Sequence, residues 1–411
     1  MNSMISISEK TYLRELAKKQ LEYANLPEMD EKKRLWYLHN SLHGERPMVI
    51  MEEETFLSEL LPESKCKNMT AKLIERQLLQ NLISYQLSND DKVMPDYFII
   101  NVKIDVLHYG LDIKKTYATT GPGYHIDNVI TNLSQCFDKL KPSTFVYDDQ
   151  YVTELKNIIE NTIGDILPVQ IKNSDNYWNM GITQKAVELM GMENMFLSMI
   201  DEPDLFHQFM GFLKDDAIRF LRWQEKNGLI FLNNKNDYMG SGSYCFNNEL
   251  PQKDFNGWVR SVDTWGHLNS QESINISPAM YIEFIFPYYV ELAREFGIIY
   301  YGCCEPVDSI WDNAVSKLPN LRKVSISAWC NEEIMADRLS DGKVIYSRKP
   351  SPNFIGIQKA FNEDEFRKYI KKTVNLTRNC KTEFIFRDIY SLNGNLDKVK
   401  RAVQIVRELT I

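Results

Sequence analysis

The chain has 411 residues and a net charge of -8, from 48 Lys and Arg against 56 Asp and Glu, with 44% hydrophobic and 25% charged residues. Such a composition belongs to a globular chain that buries a large core, as one big domain or two ordinary ones. It gives no support to a nucleic-acid partner, whose phosphates would call for a basic face, and no apolar run reaches the roughly 18–20 residues of a membrane span.

In chain order, "MNSMISISEKTYLRELAKKQLEYANL" turns into an amphipathic helix rather than a signal segment, so a cytoplasmic address is expected. "MTAKLIERQLLQNLISYQLSND" predicts a second helix, and "RPMVIMEEET" between the two predicts a short strand. "MPDYFIINVKIDVLHYGLDIKKTYATTGPGYHIDNVI" reads as strands broken by the turn-prone "TTGPGYH". Residues 1–150 are thus expected to form a helical and extended cap on a catalytic domain spanning 151–411.

From "DILPVQI" onward the rhythm changes. A long helical stretch, "ITQKAVELMGMENMFLSMIDEPDLFHQFMGFLKDDAIRFLRWQEKNG", leads to a strand at "LIFLNN". "PAMYIEFIFPYYVELAREFG" is a helix, "IIYYGC" a strand and "VDSIWDNAVSKLPN" a helix. "LRKVSISAW" is a strand, "NEEIMADRLSDG" a helix and "KVIYSR" a strand. "NEDEFRKYIKKTVNLTRNC", "TEFIFRD" and "LDKVKRAVQIVREL" close with helix, strand and helix, and Asn331 and Asn362 stand as N-caps. Alternation of this kind predicts an α/β fold with parallel strands and helical crossovers. A doubly wound sheet would give the same local pattern. The rhythm covers about 250 residues and no strand is followed by a glycine-rich phosphate fingerprint, so a (β/α)8 TIM-type barrel with an N-terminal, mainly helical extension is the expectation.

In a barrel the chemistry sits at the carboxyl ends of strands. Those positions offer Asp237 and Cys245, then Asp263, His267 and Glu272 in "SVDTWGHLNSQES", then Cys303, Cys304 and Glu305 in "YYGCCEP". Trp329 and Cys330, Arg348 and Lys349, and Asp388 and Tyr390 in "RDIY" complete the set. Thiolate and imidazole favour zinc, which in catalytic sites takes three protein ligands and keeps one position open. Cys303 and Glu305 are two apart and would share a face on a strand. Buried packing explains a single cysteine such as Cys330, but Glu305 beside two thiols is harder to bury unpaired. The seven cysteines, odd in number and widely spread, do not describe a disulfide framework.

"NISPAMYIEFIFPYYVELAREFGIIYYGCCEPVDS", with "GKVIYSRKPSP" and "FIFRDIYSLNGNLDKVKRAVQIV", resembles the uroporphyrinogen decarboxylase superfamily from about residue 160 to the end. It is more similar to the corrinoid-dependent methyltransferase branch, because the arginine motif of true uroporphyrinogen decarboxylases has no counterpart here. The branch binds zinc through a His-x-Cys motif and a second, C-terminal cysteine. On that resemblance Cys303 takes the ligand cysteine's place, Tyr301 stands where the histidine would be, and only Asp388 lies near the second cysteine's place. The implied metal set is Cys303, Glu305 and His267, with Cys304 as substitute. The implied reaction moves a methyl group between a small methylated compound, of methoxy or methylamine type, and a corrinoid on a partner protein. Glu305, Glu272 or Asp388 would supply a proton, Arg348 and Lys349 would anchor a carboxylate, and Trp329 and Tyr390 would flank an aromatic ring. A cofactor-free decarboxylase or lyase, and a non-catalytic corrinoid- or metal-binding accessory protein, are the alternatives. The oligomeric state, a homodimer included, stays open.

Overall fold

The computed structural model describes residues 5–111, 113–117, 124–173 and 180–410, so the predicted turn at "TTGPG" lies outside the described residues. Short strands β1 (Met48–Met51), β2 (Phe98–Asn101) and β3 (Ile104–Leu107) are followed by β4 (Lys115–Tyr117), β5 (Tyr124–Ile126), β6 (Thr144–Tyr147) and β7 (Val169–Lys172). Then come β8 (Tyr238–Met239), β9 (Ser243–Tyr244), β10 (Trp265–Leu268), β11 (Ile298–Tyr301), β12 (Leu321–Ile326), β13 (Ile345–Arg348) and β14 (Thr382–Phe386).

Six of these make one parallel sheet in the order β1, β14, β13, β12, β11, β10. Strand β1 of the N-terminal region is therefore part of the same sheet as the C-terminal strands, pairing Met48 with Glu383 and Met51 with Phe386. Two more parallel strands, β2 and β7, pair only with each other, so the ladder of the described residues does not close into an eight-stranded barrel. The expected strand at "LIFLNN" is missing for a local reason. The side-chain amide of Asn233 donates to the Trp265 carbonyl at 3.0 Å and accepts from the Trp265 N–H at 2.8 Å. It thus satisfies the edge of β10 as a neighbouring backbone would.

Helix boundaries follow proline and cap chemistry. Helices Ile7–Ala24 and Met69–Ser88 fall where periodicity puts them, whereas helices Pro27–Asn40 and Asp149–Ile163 were not anticipated. Asn331 and Asn362 do cap Glu332–Arg338 and Glu363–Leu376, each side chain accepting backbone N–H groups of the first turn. The long helical stretch divides at Pro203, and the helix after "NISP" divides at Pro287, because proline cannot donate the next helical hydrogen bond. Residues 307–320, expected as a helix, are turns with a short 3-10 segment at Val315–Lys317. Their apolar side chains Val307, Trp311, Ala314 and Val315 nevertheless bury as the pattern requires.

Both faces of the sheet are covered, so side chains sort by alternation along each strand. Ile299, Tyr301, Val324, Ile326 and Tyr346 pack outward under helices. Arg348 shares that outer face and is 1% exposed. Its guanidinium donates to Glu332 at 2.8 Å, to the Tyr369 hydroxyl at 2.7 Å and to the Ser327 carbonyl at 2.6 Å. It clamps helices to the sheet and does not face the mouth, where a carboxylate anchor was expected. Truncating one member of a buried ion pair strands the other. Arg348→Ala is expected to lower unfolding free energy by roughly 3–5 kcal/mol, read from the urea midpoint, and a loss below 1 kcal/mol would mean the pair is solvated.

Candidate active site

The inner face of the sheet is polar at its centre. Glu383 on β14 is fully buried and accepts from Lys323 Nζ of β12 at 3.0 Å, His39 Nε2 at 3.1 Å, Ser243 Oγ at 2.9 Å and Ser347 Oγ of β13 at 2.6 Å. Burial works against the carboxylate, but Lys323 and the donors around it hold its pKa well below the usual range. Ser347 also meets the Tyr300 hydroxyl at 2.8 Å and receives Lys349 Nζ at 2.7 Å. Burial depresses Lys349 to about 7. This network is the floor of the site.

Over it lies the β8–β9 hairpin. A Cβ on Gly240, at φ 39°, would come within 2.3 Å of the His267 ring, so only glycine lets the turn settle onto β10. Ser241 at the tip donates to the Gly302 carbonyl at 2.7 Å. Ser243 reaches down to Glu383, so the hairpin is tied to the floor from inside.

Beyond β11 the chain turns at Gly302, where φ is 94° and a Cβ would crowd Ser325 at 3.1 Å. The turn sets the two thiols side by side, with sulfurs 3.7 Å apart, and Cys304 Sγ lies 3.8 Å from Asp388 Oδ2. Arg387, the residue just after β14, reaches Asp388 at 3.3 Å and Glu52 at 3.4 Å. Its Nε and Nη1 have no hydrogen-bond partner among the described residues. The Cys304 thiol as donor and the Arg387 charge lower the Cys303 pKa against the opposing effect of burial. Cys304, donating to that sulfur in a partly buried place, is pushed up. Of the two, Cys303 is therefore the more acidic thiol. Burial raises the Tyr390 hydroxyl, and Asp388 and the two sulfurs add to it.

The remaining expected ligands point elsewhere. Glu305 turns inward, its carboxylate accepting from Ser270 N at 2.9 Å and Cys303 N at 2.8 Å. Burial raises its pKa and the backbone amides oppose that. Because the strand ends at Tyr301, the two-residue alternation that aligned Cys303 with Glu305 does not extend to them. His267 is buried, with a pKa lowered to about 4 by burial, and its Nε2 lies 3.1 Å from the Gly302 carbonyl. A carbonyl only accepts, so that nitrogen carries the proton and offers no lone pair to a metal. Among the described residues no group of three or more His, Cys, Asp or Glu is arranged to hold a metal ion. As placed, Cys303, Cys304, Glu305 and His267 do not converge on one metal position.

Other candidates also disperse. Glu272 accepts from Thr183 at 2.8 Å, Asp263 is paired with Arg260 at 3.0 Å, and Asp237 with Lys172 at 2.8 Å. Cys245 and Cys330 are buried packing. Trp329 and Tyr390 are 70% and 60% exposed on loops following β12 and β14. Ser241 and Glu52 escaped the sequence-based selection, and Arg387, which opens "RDIY" at the end of β14, was given no role there. A cavity of about 430 Å³ lies to one side, and Tyr238, which donates to Glu52, forms part of its wall.

The architecture defines an α/β protein with a parallel sheet and its polar cluster at the carboxyl edge. No protein-family model and no curated protein sequence matches the chain. Among solved structures, a methyltransferase from Methanosarcina mazei is similar at TM-score 0.53, covering 92% of this chain and 98% of its own, with 12% identity. That likeness establishes the fold. No helix among the described residues is long and apolar enough to cross a membrane.

The thiol pair sets an alkylation order. As pH rises, Cys303 reaches the thiolate form before an ordinary thiol does and Cys304 after it, so iodoacetamide should label Cys303 first. Cys304→Ala removes the donor and should slow labelling of Cys303 at neutral pH several-fold. Mass spectrometry of the tryptic peptide checks this, and equal rates at both cysteines would contradict the assignment.

Proposed function

We propose that the chain is a methyltransferase that moves a methyl group between a small methylated compound and a corrinoid carried by a partner protein. The observation that carries this reading is the side-by-side thiols of Cys303 and Cys304, next to the Arg387–Asp388 ion pair at the carboxyl edge of the parallel sheet. The shared fold with a methyltransferase supports it. A bound corrinoid supplies the cobalt nucleophile or methyl carrier. The chain's own residues orient the methylated compound and manage charge on the heteroatom that loses its methyl group.

Arg387 is the anchor, in the role first assigned to Arg348, because its Nη1 has no hydrogen-bond partner among the described residues and its charge acts on Cys303. Asp388 and the Cys304 thiol stand where a proton is delivered to the departing oxygen or nitrogen. Cys303 holds negative charge against the methyl-bearing side. Tyr390, Trp329 and Ile357, each exposed on a stretch that follows a sheet strand, are the apolar surface offered to a flat ring or macrocycle. Lys349 supports from below through Tyr300 and Ser347 rather than touching the substrate. A cofactor-free lyase leaves the thiol pair without a task.

Mixing the protein with a reduced corrinoid protein and candidate methoxy or methylamine donors tests the reading by methyl-cobalt absorbance. Cys303→Ser and Arg387→Met are each expected to cost on the order of 10²–10³ in kcat/KM. Full activity in both variants would exclude this centre.

Metal analysis of untagged protein gives a separate test. Substoichiometric zinc is expected. One zinc per chain, lost in Cys303→Ala, would show that Glu305 and His267 leave their backbone partners to bind it.

A further inference from the structure

The 430 Å³ cavity beside the hairpin is a built site that the methyl-transfer reading does not use. It falls within the roughly 300–1,000 Å³ of small-molecule pockets. Its walls come from the helix Met69–Ser88, the loop before β2, the ends of β2 and β7, and residues 231–238.

The charged groups on its walls, Lys172, Asp237, Lys92 and Asp90, are all held in ion pairs. Lys172 is bound to Asp237 at 2.8 Å and Lys92 to Asp90 at 3.3 Å, and Lys92 also holds Glu53. An ionic ligand would have to break one of these partly buried pairs to find a counter-charge. Tyr85, Tyr97, Phe231, Tyr238 and Tyr244 contribute aromatic surface, which favours a ring. Between them, polar groups are left without protein partners. The Tyr244 hydroxyl and the Asn101 amide have none among the described residues, and Asn81 spends only its NH₂ group, on Gln20 at 3.1 Å. Burial and the carboxylates of Asp90, Glu53 and Glu52 hold Tyr244 in its neutral, donating form. A hydroxyl donor set against amide groups that both donate and accept matches ligand hydroxyls, which do both.

We propose that this cavity binds an uncharged, hydroxyl-rich ring compound of monosaccharide or cyclitol size. Tyr238 belongs both to its wall and to the chain of contacts through Glu52 to Arg387, so the ligand sits next to the thiol site without touching it.

Isothermal titration and saturation-transfer NMR on the full chain test this with methyl β-glucoside and myo-inositol as uncharged probes, and glucuronate and glucosamine as charged counterparts. Either or both uncharged rings should bind, and the charged rings at least about tenfold more weakly. Tyr244→Phe, which removes one hydroxyl, should weaken binding roughly three- to tenfold. Exposed Asn101→Leu, which leaves the core untouched, should do likewise. No binding of either uncharged ring at millimolar concentration overturns the proposal, as does equal binding of the charged rings or an unchanged affinity in both variants. Methyl transfer plays no part in these measurements, so the two readings stand or fall separately.

Discussion

The carboxylate of Glu383, fully buried and yet charged, is the constraint around which the molecule is organised. Burying an ion is tolerable only when every lone pair is answered. Here the answers come from a helix near the N-terminus through His39, from β12 through Lys323, from the hairpin through Ser243 and from β13 through Ser347. Segments from far apart in the chain must therefore meet at one point before the charge is paid for. An apolar side chain there would pack as well but would not specify which elements meet.

The site rests on that floor. Ser347 passes the network upward to Tyr300 and Lys349, and the hairpin, held down at Ser243, presses Ser241 onto the turn at Gly302. The turn then sets Cys303 and Cys304 against the carboxyl end of β14, where Arg387 and Asp388 wait. Functional groups collect at this edge for a geometric reason. In a parallel sheet all strands end on the same side, so loops remote in sequence share one rim.

Much of the fold was legible because helix periodicity, asparagine caps and apolar strands are local properties. Helices Glu363–Leu376 and Asp397–Thr410 and strands β11 to β14 fall where the pattern puts them. The failures are equally physical. "LIFLNN" has strand composition, but Asn233 does a neighbour's hydrogen bonding with its side chain. "RK" after an apolar strand looks like paired cations at the mouth, yet alternation sends Arg348 outward to Glu332 and Lys349 inward to Tyr300. Of the proposed thiol, carboxylate and imidazole set, the two cysteines meet, whereas Glu305 and His267 are taken by backbone groups of neighbouring turns.

The sequence by itself determined the parallel α/β character and the place of "YYGCCEP" at the end of a late strand, since each depends on neighbours a few residues apart. Only the tertiary structure decided which arginine lies beside the thiols, that Glu305 faces backbone amides, and that the ladder of the described residues stays open. Those outcomes depend on the direction of side chains past the last hydrogen-bonded residue of a strand, and on partners hundreds of residues away. Strand periodicity ends where the strand does, so the residues just beyond it take their orientation from whatever the fold brings alongside.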